Sequence, residues 1–187
     1  MAKKDWRRLL HFRCTGCGNC CRETVVCLTD EDVRRIEQGT GKPAREFARF
    51  FPEEEVSMDK RDNFWIRFAN RRAVMALRWR RNHCYFLGPD NRCTIYEHRP
   101  VTCREYPFNT TLSKTGAVER VYLSRAAKCL HDWDGRVTRK ALRAVLRWNE
   151  RQSEAYAAKV KTWNGRLFGR KSRPAFLRYL GFGGDSE

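Results

Sequence analysis

Cys14-Thr15-Gly16-Cys17-Gly18-Asn19-Cys20-Cys21 places four thiols within eight residues near the start of a 187-residue chain. Soft ligands at this density normally hold a metal, so metal and loops, more than a large sheet, are expected to organise the fold. Two residues between successive thiols let the backbone turn back over one ion or cluster, and Gly16 and Gly18 supply the tight turn and unhindered amides. The adjacent pair adds a constraint. Neighbouring side chains tend to diverge, so one of Cys20 and Cys21 is expected to serve a second metal, a bridge or nothing.

Working outward, five more cysteines complete a set of nine. Cys27 lies between Val26 and Leu28 in a predicted strand over 23–28 and reads as a small buried hydrophobe. Cys84 and Cys93 flank the turn formers Gly88, Pro89, Asp90 and Asn91, which could aim both thiols at one point. Cys103 follows Arg99 and Pro100, and Cys129 comes after a predicted hairpin. The candidate ligands are therefore Cys14, Cys17, Cys20, Cys21, Cys84, Cys93, Cys103 and Cys129, enough for two four-ligand sites. His83 and His98 are weaker candidates.

Cys14, Cys17 and Cys20 match the first three positions of a bacterial ferredoxin run, but Cys21 replaces its spaced fourth. A zinc ribbon would have a second CxxC knuckle, which the later cysteines lack. Wide spacing in the second half suggests a polynuclear centre built from distant loops. One or two iron-sulfur clusters are thus favoured over zinc. Arg99 and Arg104 offer cations that offset thiolate charge, and Tyr96 and Tyr106 offer hydroxyl hydrogen bonds.

The start of the chain has no apolar signal-peptide core, and no stretch reaches the ~20 apolar residues of a membrane span. A cytoplasmic setting follows as the expectation, and it disfavours a disulfide framework, as does the odd number of cysteines. The net charge is +17. Residues 136–178 hold thirteen Lys or Arg against Glu150 and Glu154, which is +11 of that total. Such a block favours a polyanionic partner.

For the elements, Thr29 reads as an N-cap with Asp32 three residues on, and Gly39 and Gly41 as the stop of that helix. A second helix is expected to open at Pro43 and carry Phe47, Phe50 and Phe51 on a buried face until Pro52. Extended stretches follow at 63–68 and 73–79, the second alternating with unequal faces, and then a hairpin over 111–123 with Gly116 in its turn. A helix over 137–163 aligns Leu142, Val145, Leu146, Tyr156, Val160 and Trp163 on one side. Arg139, Arg143, Arg147 and Arg151 form an anion-binding ridge on another. A short helix near 174–180 precedes a tail expected to fray. The fold class is α+β: a small irregular metal-organised domain over 1–135, and a basic helical extension and tail over 136–187.

The runs CTGCGNCC, VCLTDED and CYFLGPDNRCTIYEHRPVTCREYPF resemble the bacterial zinc- or iron-chelating CxxCxxCC cysteine-cluster family, also called YkgJ-like, over roughly residues 12–108. The resemblance implies metal chelation by Cys14, Cys17, Cys20, Cys21, Cys84, Cys93 and Cys103. The expected function is a cytoplasmic metal-cluster protein whose basic helix docks on RNA or a ribonucleoprotein. The alternative is a cluster-dependent enzyme, an oxidoreductase or a transferase like the flagellin lysine methylases, which are similar in carrying such a cluster. No glycine-rich nucleotide loop follows a strand, which weakens the methylase reading.

Overall fold

The computed structural model describes residues 6–23, 25–113, 115, 118–124, 128–167 and 169–183. After a 3-10 turn at Trp6–His11 come β1 (Arg13–Cys14), α1 (Cys20–Glu23), α2 (Asp30–Thr40), α3 (Ala44–Phe47) and β2 (Ala48–Pro52). The middle of the chain holds β3 (Ile66–Arg67), β4 (Arg72–Leu77), β5 (Trp79–Arg80), β6 (His83–Cys84) and α4 (Val101–Glu105). Then follow β7 (Phe108–Leu112), β8 (Val118–Leu123), β9 (His131–Asp132), α5 (Arg139–Asn164) and α6 (Arg173–Tyr179). This is an α+β fold with short antiparallel strands and one long C-terminal helix.

β4 is the organising strand, antiparallel to β2 along one edge and to β3 at its start. Residues 26–28 take up the rest of the β4 edge, with Leu28 N–H donating to the Met75 carbonyl and Leu77 N–H to the Val26 carbonyl. The predicted strand over 23–28 is thus reduced to a single bridge at Cys27 opposite Ala76, and Thr24 lies outside the described residues. Period-two alternation in β4 is present, but both faces are dry. Ala73, Met75 and Leu77 enter the main core, while Val74 and Ala76 enter a second cluster with Phe51 and Trp65.

α2 begins at the predicted cap, with Thr29 and Asp32 exchanging both hydrogen bonds of a capping box. It ends at Gly41, in the left-handed conformation at φ 68°. Gly39 does not stop the helix. It lies inside α2 at a position where a Cβ would meet the His98 ring at 2.3 Å, which accounts for the glycine there. The second predicted helix is also cut short. α3 has only four residues, and Phe50 and Phe51 continue in β2, where pairing with Met75 and Val74 overrides the helical spacing. The hairpin β7–β8 forms as predicted, with Gly116 outside the described residues.

The second half of α5 packs on β3, and Tyr156, Val160 and Trp163 belong to the main core. Asn164 works as a surrogate strand: it accepts from the Arg67 N–H at 2.7 Å and donates to the Trp65 carbonyl at 2.8 Å. Of the apolar residues predicted to line one side of α5, Leu142 is half-buried and Val145 exposed. The tail differs too. Phe182 is buried and lies beneath the Arg34 guanidinium, so the expected fraying does not begin at Gly181, and residues 184–187 lie outside the described set.

Candidate metal centre

The N-terminal cysteine loop is held from both sides. Its backbone takes the predicted left-handed turns at Gly16 (φ 71°) and Gly18 (φ 72°). β1 pairs with β9, placing Cys14 opposite His131, and Arg13 pairs with Asp132 and Asp134. Thr15 Oγ1 donates to the Leu130 carbonyl and Asn19 Nδ2 to that of Lys128, both at 2.8 Å. These bonds carry Cys129 to the loop across more than a hundred residues of chain. On the other side, Arg22 donates to the Asn91 side chain at 2.6 Å, tying α1 to the turn between Cys84 and Cys93.

Cys103 is placed by a framework around Asp32. One carboxylate oxygen of Asp32 accepts from Thr29 N–H and hydroxyl, and the other from Arg35 and from Val101 N–H at the start of α4. Arg35 also donates to the Arg99 carbonyl, which takes a second bond from Arg104 Nε, and Arg104 Nη2 donates to Glu97. Pro100 caps α4 where its missing N–H costs nothing. The LTxxD and RPxxCR runs are therefore one structural device that presents Cys103.

Seven candidate ligands, Cys14, Cys17, Cys20, Cys21, Cys93, Cys103 and Cys129, line a single cavity of about 880 Å³. Cys84 is not part of that lining; it is buried on β6, which packs against α1 and so adjoins Cys21. Cys27 stays apart, partly buried against Met58 at the edge of the second cluster rather than fully buried as expected. All nine are free thiols. Cys20 and Cys21 do not diverge as the sequence suggested: their sulfurs lie 3.9 Å apart at the start of α1. That is close to the ~3.8 Å edge of a tetrahedron with 2.3 Å metal–sulfur bonds.

Charge links the thiols into two groups. Cys129 feels Cys17, Cys14 and Cys20, whereas Cys103 feels Cys21, Cys20 and Cys93, so Cys20 stands at the junction. Cys20 is raised far above the usual thiol range, first by its hydrogen bond with Cys21 and then by burial. The same bond favours the Cys21 thiolate, yet the nearness of Cys84, burial and neighbouring thiolates push Cys21 up to about 12. Burial first, then the nearby thiolates, pushes Cys129 up to about 12 and Cys103 well upward. Burial raises Cys93 as well. Protein groups alone therefore keep protons on these sulfurs, and a bound cation would take the protons' place.

Among the described residues no three Cys, His, Asp or Glu side chains converge closely enough to grip one ion. The donor set, seven thiols around one cavity, fits a thiophilic metal by its chemistry. Arg99 and Arg104 line the cavity. Tyr96 lines it as well, but its ring lies 3.6 Å under the Arg99 guanidinium. The Tyr106 hydroxyl is turned to Glu23 rather than to a thiol. Neither His83 nor His98 lines it. Sequence reasoning missed the cavity's apolar wall, where Leu10, Phe108, Val121, Val137, Leu142 and Val145 contribute. The signal available was the α5 stripe, read only as one apolar side of a helix.

Frame and site together define a cysteine-cluster protein in which short, loop-linked elements present soft donors to one cavity. The CxxCxxCC family, described as a putative zinc- or iron-chelating domain, matches residues 13–130, and the chain belongs to that family. No curated protein and no solved structure matches the chain. No helix among the described residues is long and apolar enough to cross a membrane.

Proposed function

We propose that Cys14, Cys17, Cys20, Cys21, Cys84, Cys93, Cys103 and Cys129 hold an iron-sulfur centre in preference to zinc, in the reducing setting of the cytoplasm. One observation carries the reading: seven of these thiols share one cavity wall, the eighth adjoins Cys21, and Cys27 stands apart. Iron-sulfur is favoured because the donors come from loops far apart in sequence and fall into two linked groups rather than one closed knuckle. Cys14, Cys17 and Cys129 form one group, Cys21, Cys84, Cys93 and Cys103 the other, with Cys20 between them. When bound, the metal supplies a fixed positive centre and, if it is iron, a redox couple. The thiols orient it, and Arg99 offsets their charge. Metal and acid-labile sulfide analysis with a visible spectrum, on protein purified without oxygen, tests this. Iron, sulfide and broad absorption are expected; colourless zinc would reject the cluster.

The basic face of α5 is the docking surface of this reading, and RNA or a ribonucleoprotein its partner. Arg139, Arg143, Arg147 and Arg151 are exposed, and Lys140, Arg143 and Arg147 line a groove of about 350 Å³. Like charges four residues apart on a helix are mutually destabilising, which a polyanion would relieve. Salt-dependent RNA binding that disappears when the four arginines become Glu is the expected result. Binding insensitive to salt or to that change would reject RNA docking. A second reading, a cluster-dependent enzyme, is favoured by the size of the cavity over the cysteines.

A further inference from the structure

The cavity is larger than a metal needs. A thiolate-bound ion with bonds of about 2.3 Å takes up a corner of it, whereas about 880 Å³ lies in the range of sites for organic ligands, about 300–1,000 Å³. Its walls are of two kinds. Thiols and arginines contribute one part. The other is apolar and comes from separate elements: Leu10 from the N-terminal turn, Phe108 and Val121 from the hairpin, Val137 from the segment before α5, and Leu142 and Val145 from the first turns of α5.

The α5 residues are the telling ones. The helix buries Leu146, Tyr156, Val160 and Trp163, yet Val145 and, just before the helix, Val137 both line the cavity and remain 38% and 43% exposed to solvent. Branched apolar side chains left open to water around a concave space, rather than on a flat surface, suit an apolar occupant.

A cationic anchor accompanies this wall. Arg99 is half-buried and stacked 3.6 Å from the Tyr96 ring, and its Nε is committed to the Tyr96 carbonyl. Among the described residues its two terminal nitrogens have no hydrogen-bond partner and no carboxylate pairs with it. Arg13, by contrast, is committed to Asp132 and Asp134, and Arg104 to the carbonyls of Arg99 and Glu97. The charge of Arg99 reaches Cys20, Cys93 and Cys103, so this anchor stands at the thiol end.

We propose that the cavity is a binding site for a small amphipathic carboxylate, its anionic end at Arg99 beside the cysteines and its hydrocarbon body against Leu142 and Val145. The site shares its thiol wall with the proposed metal centre, but binding at Arg99 and the apolar wall does not require a particular metal. A planar guanidinium with two open donors matches a carboxylate in bidentate fashion. An alcohol of the same length would satisfy the wall but not the anchor, and acetate the anchor but not the wall.

Calorimetric titration of the protein as purified without oxygen, with decanoate as probe and decanol and acetate as comparisons, tests the proposal. Metal content is measured on each sample. One saturable decanoate site is expected, with decanol about tenfold weaker and acetate not saturating. Val145→Glu, a change at an exposed position far in sequence from any cysteine, should abolish decanoate binding with metal content unchanged. Arg99→Gln should remove the preference for decanoate over decanol. Absence of saturable decanoate binding to metal-loaded protein would overturn the proposal while leaving the metal centre standing, as would binding undiminished by both substitutions. Decanoate binding to protein without metal would instead count against the metal reading alone.

Discussion

Asp32 Oδ1 accepts the backbone N–H of Val101 at 2.9 Å, so the capping box that starts α2 also fixes the start of the helix carrying Cys103. Both oxygens of this buried carboxylate accept two donors each. Asp32→Asn therefore presents an amide NH2 to two donors whichever way it is turned, and Asp32→Ala removes the acceptor of Thr29 N–H, Thr29 hydroxyl and Val101 N–H and leaves Arg35 Nη2 only the Arg99 carbonyl. Urea unfolding should show a loss of about 3–5 kcal/mol for the alanine variant, with most of it retained in the isosteric asparagine.

Gly18 and Gly41 both take φ near +70°, but their surroundings differ. A Cβ at Gly18 would meet the Asn91 carbonyl and Arg22 Nη1 at 2.8 Å, whereas at Gly41 nothing lies within 4 Å. Gly41→Ala should cost only the left-handed penalty, about 1 kcal/mol. Gly18→Ala should cost about 1–3 kcal/mol and reduce bound metal, because the displaced backbone carries Cys17 and Cys20. Equal costs and equal metal content in the two variants would contradict this account of the loop.

Cys27→Ser and Cys103→Ser separate the two environments. The first buries a hydroxyl against Met58 and should cost about 1–3 kcal/mol with metal content unchanged. The second should release metal and lower stability further, since binding energy at such sites is folding energy. Metal analysis of the two proteins side by side provides the check.

Acid stability should depend on the pair between Glu53 and Arg72, where the sheet meets the turn after β2. Hydrogen bonding to Arg72 holds the Glu53 carboxyl below its ordinary value. The unfolded chain then binds the proton more readily, so this contribution is complete above the usual glutamate pKa of about 4.3. It is lost as pH falls through the lowered folded value. Glu53→Gln should flatten the stability profile in that acid window and leave its shape unchanged near neutrality.

Local chemistry was the legible part of this fold. The Thr29–Asp32 box, the glycine turns among the cysteines and the reversal between Cys84 and Cys93 all depend on residues a few positions apart, and all appear as read. What the sequence hid was set by distant partners. Phe50 and Phe51 have helical spacing but lie in a strand because β4 is there to pair with them. Cys129 reaches Cys14 through Thr15 and Asn19 bonding to carbonyls that no spacing rule connects. Leu142 and Val145 share the apolar stripe of Leu146, yet one end of α5 faces a cavity and the other a core. Periodicity reports a face, not what the face meets.

The ribbon of β1 on β9 joins residues 13 and 132, whose side chains are separated by 119 positions in the sequence. On the ribosome, the earliest cysteine leaves the exit tunnel long before its latest neighbour is translated. A nascent chain arrested before Cys129 carries the residues of the capping box and of β4 but lacks the strand that closes the N-terminal loop. In the proposed centre, full assembly would therefore wait until the end of the family region at residue 130 had been translated.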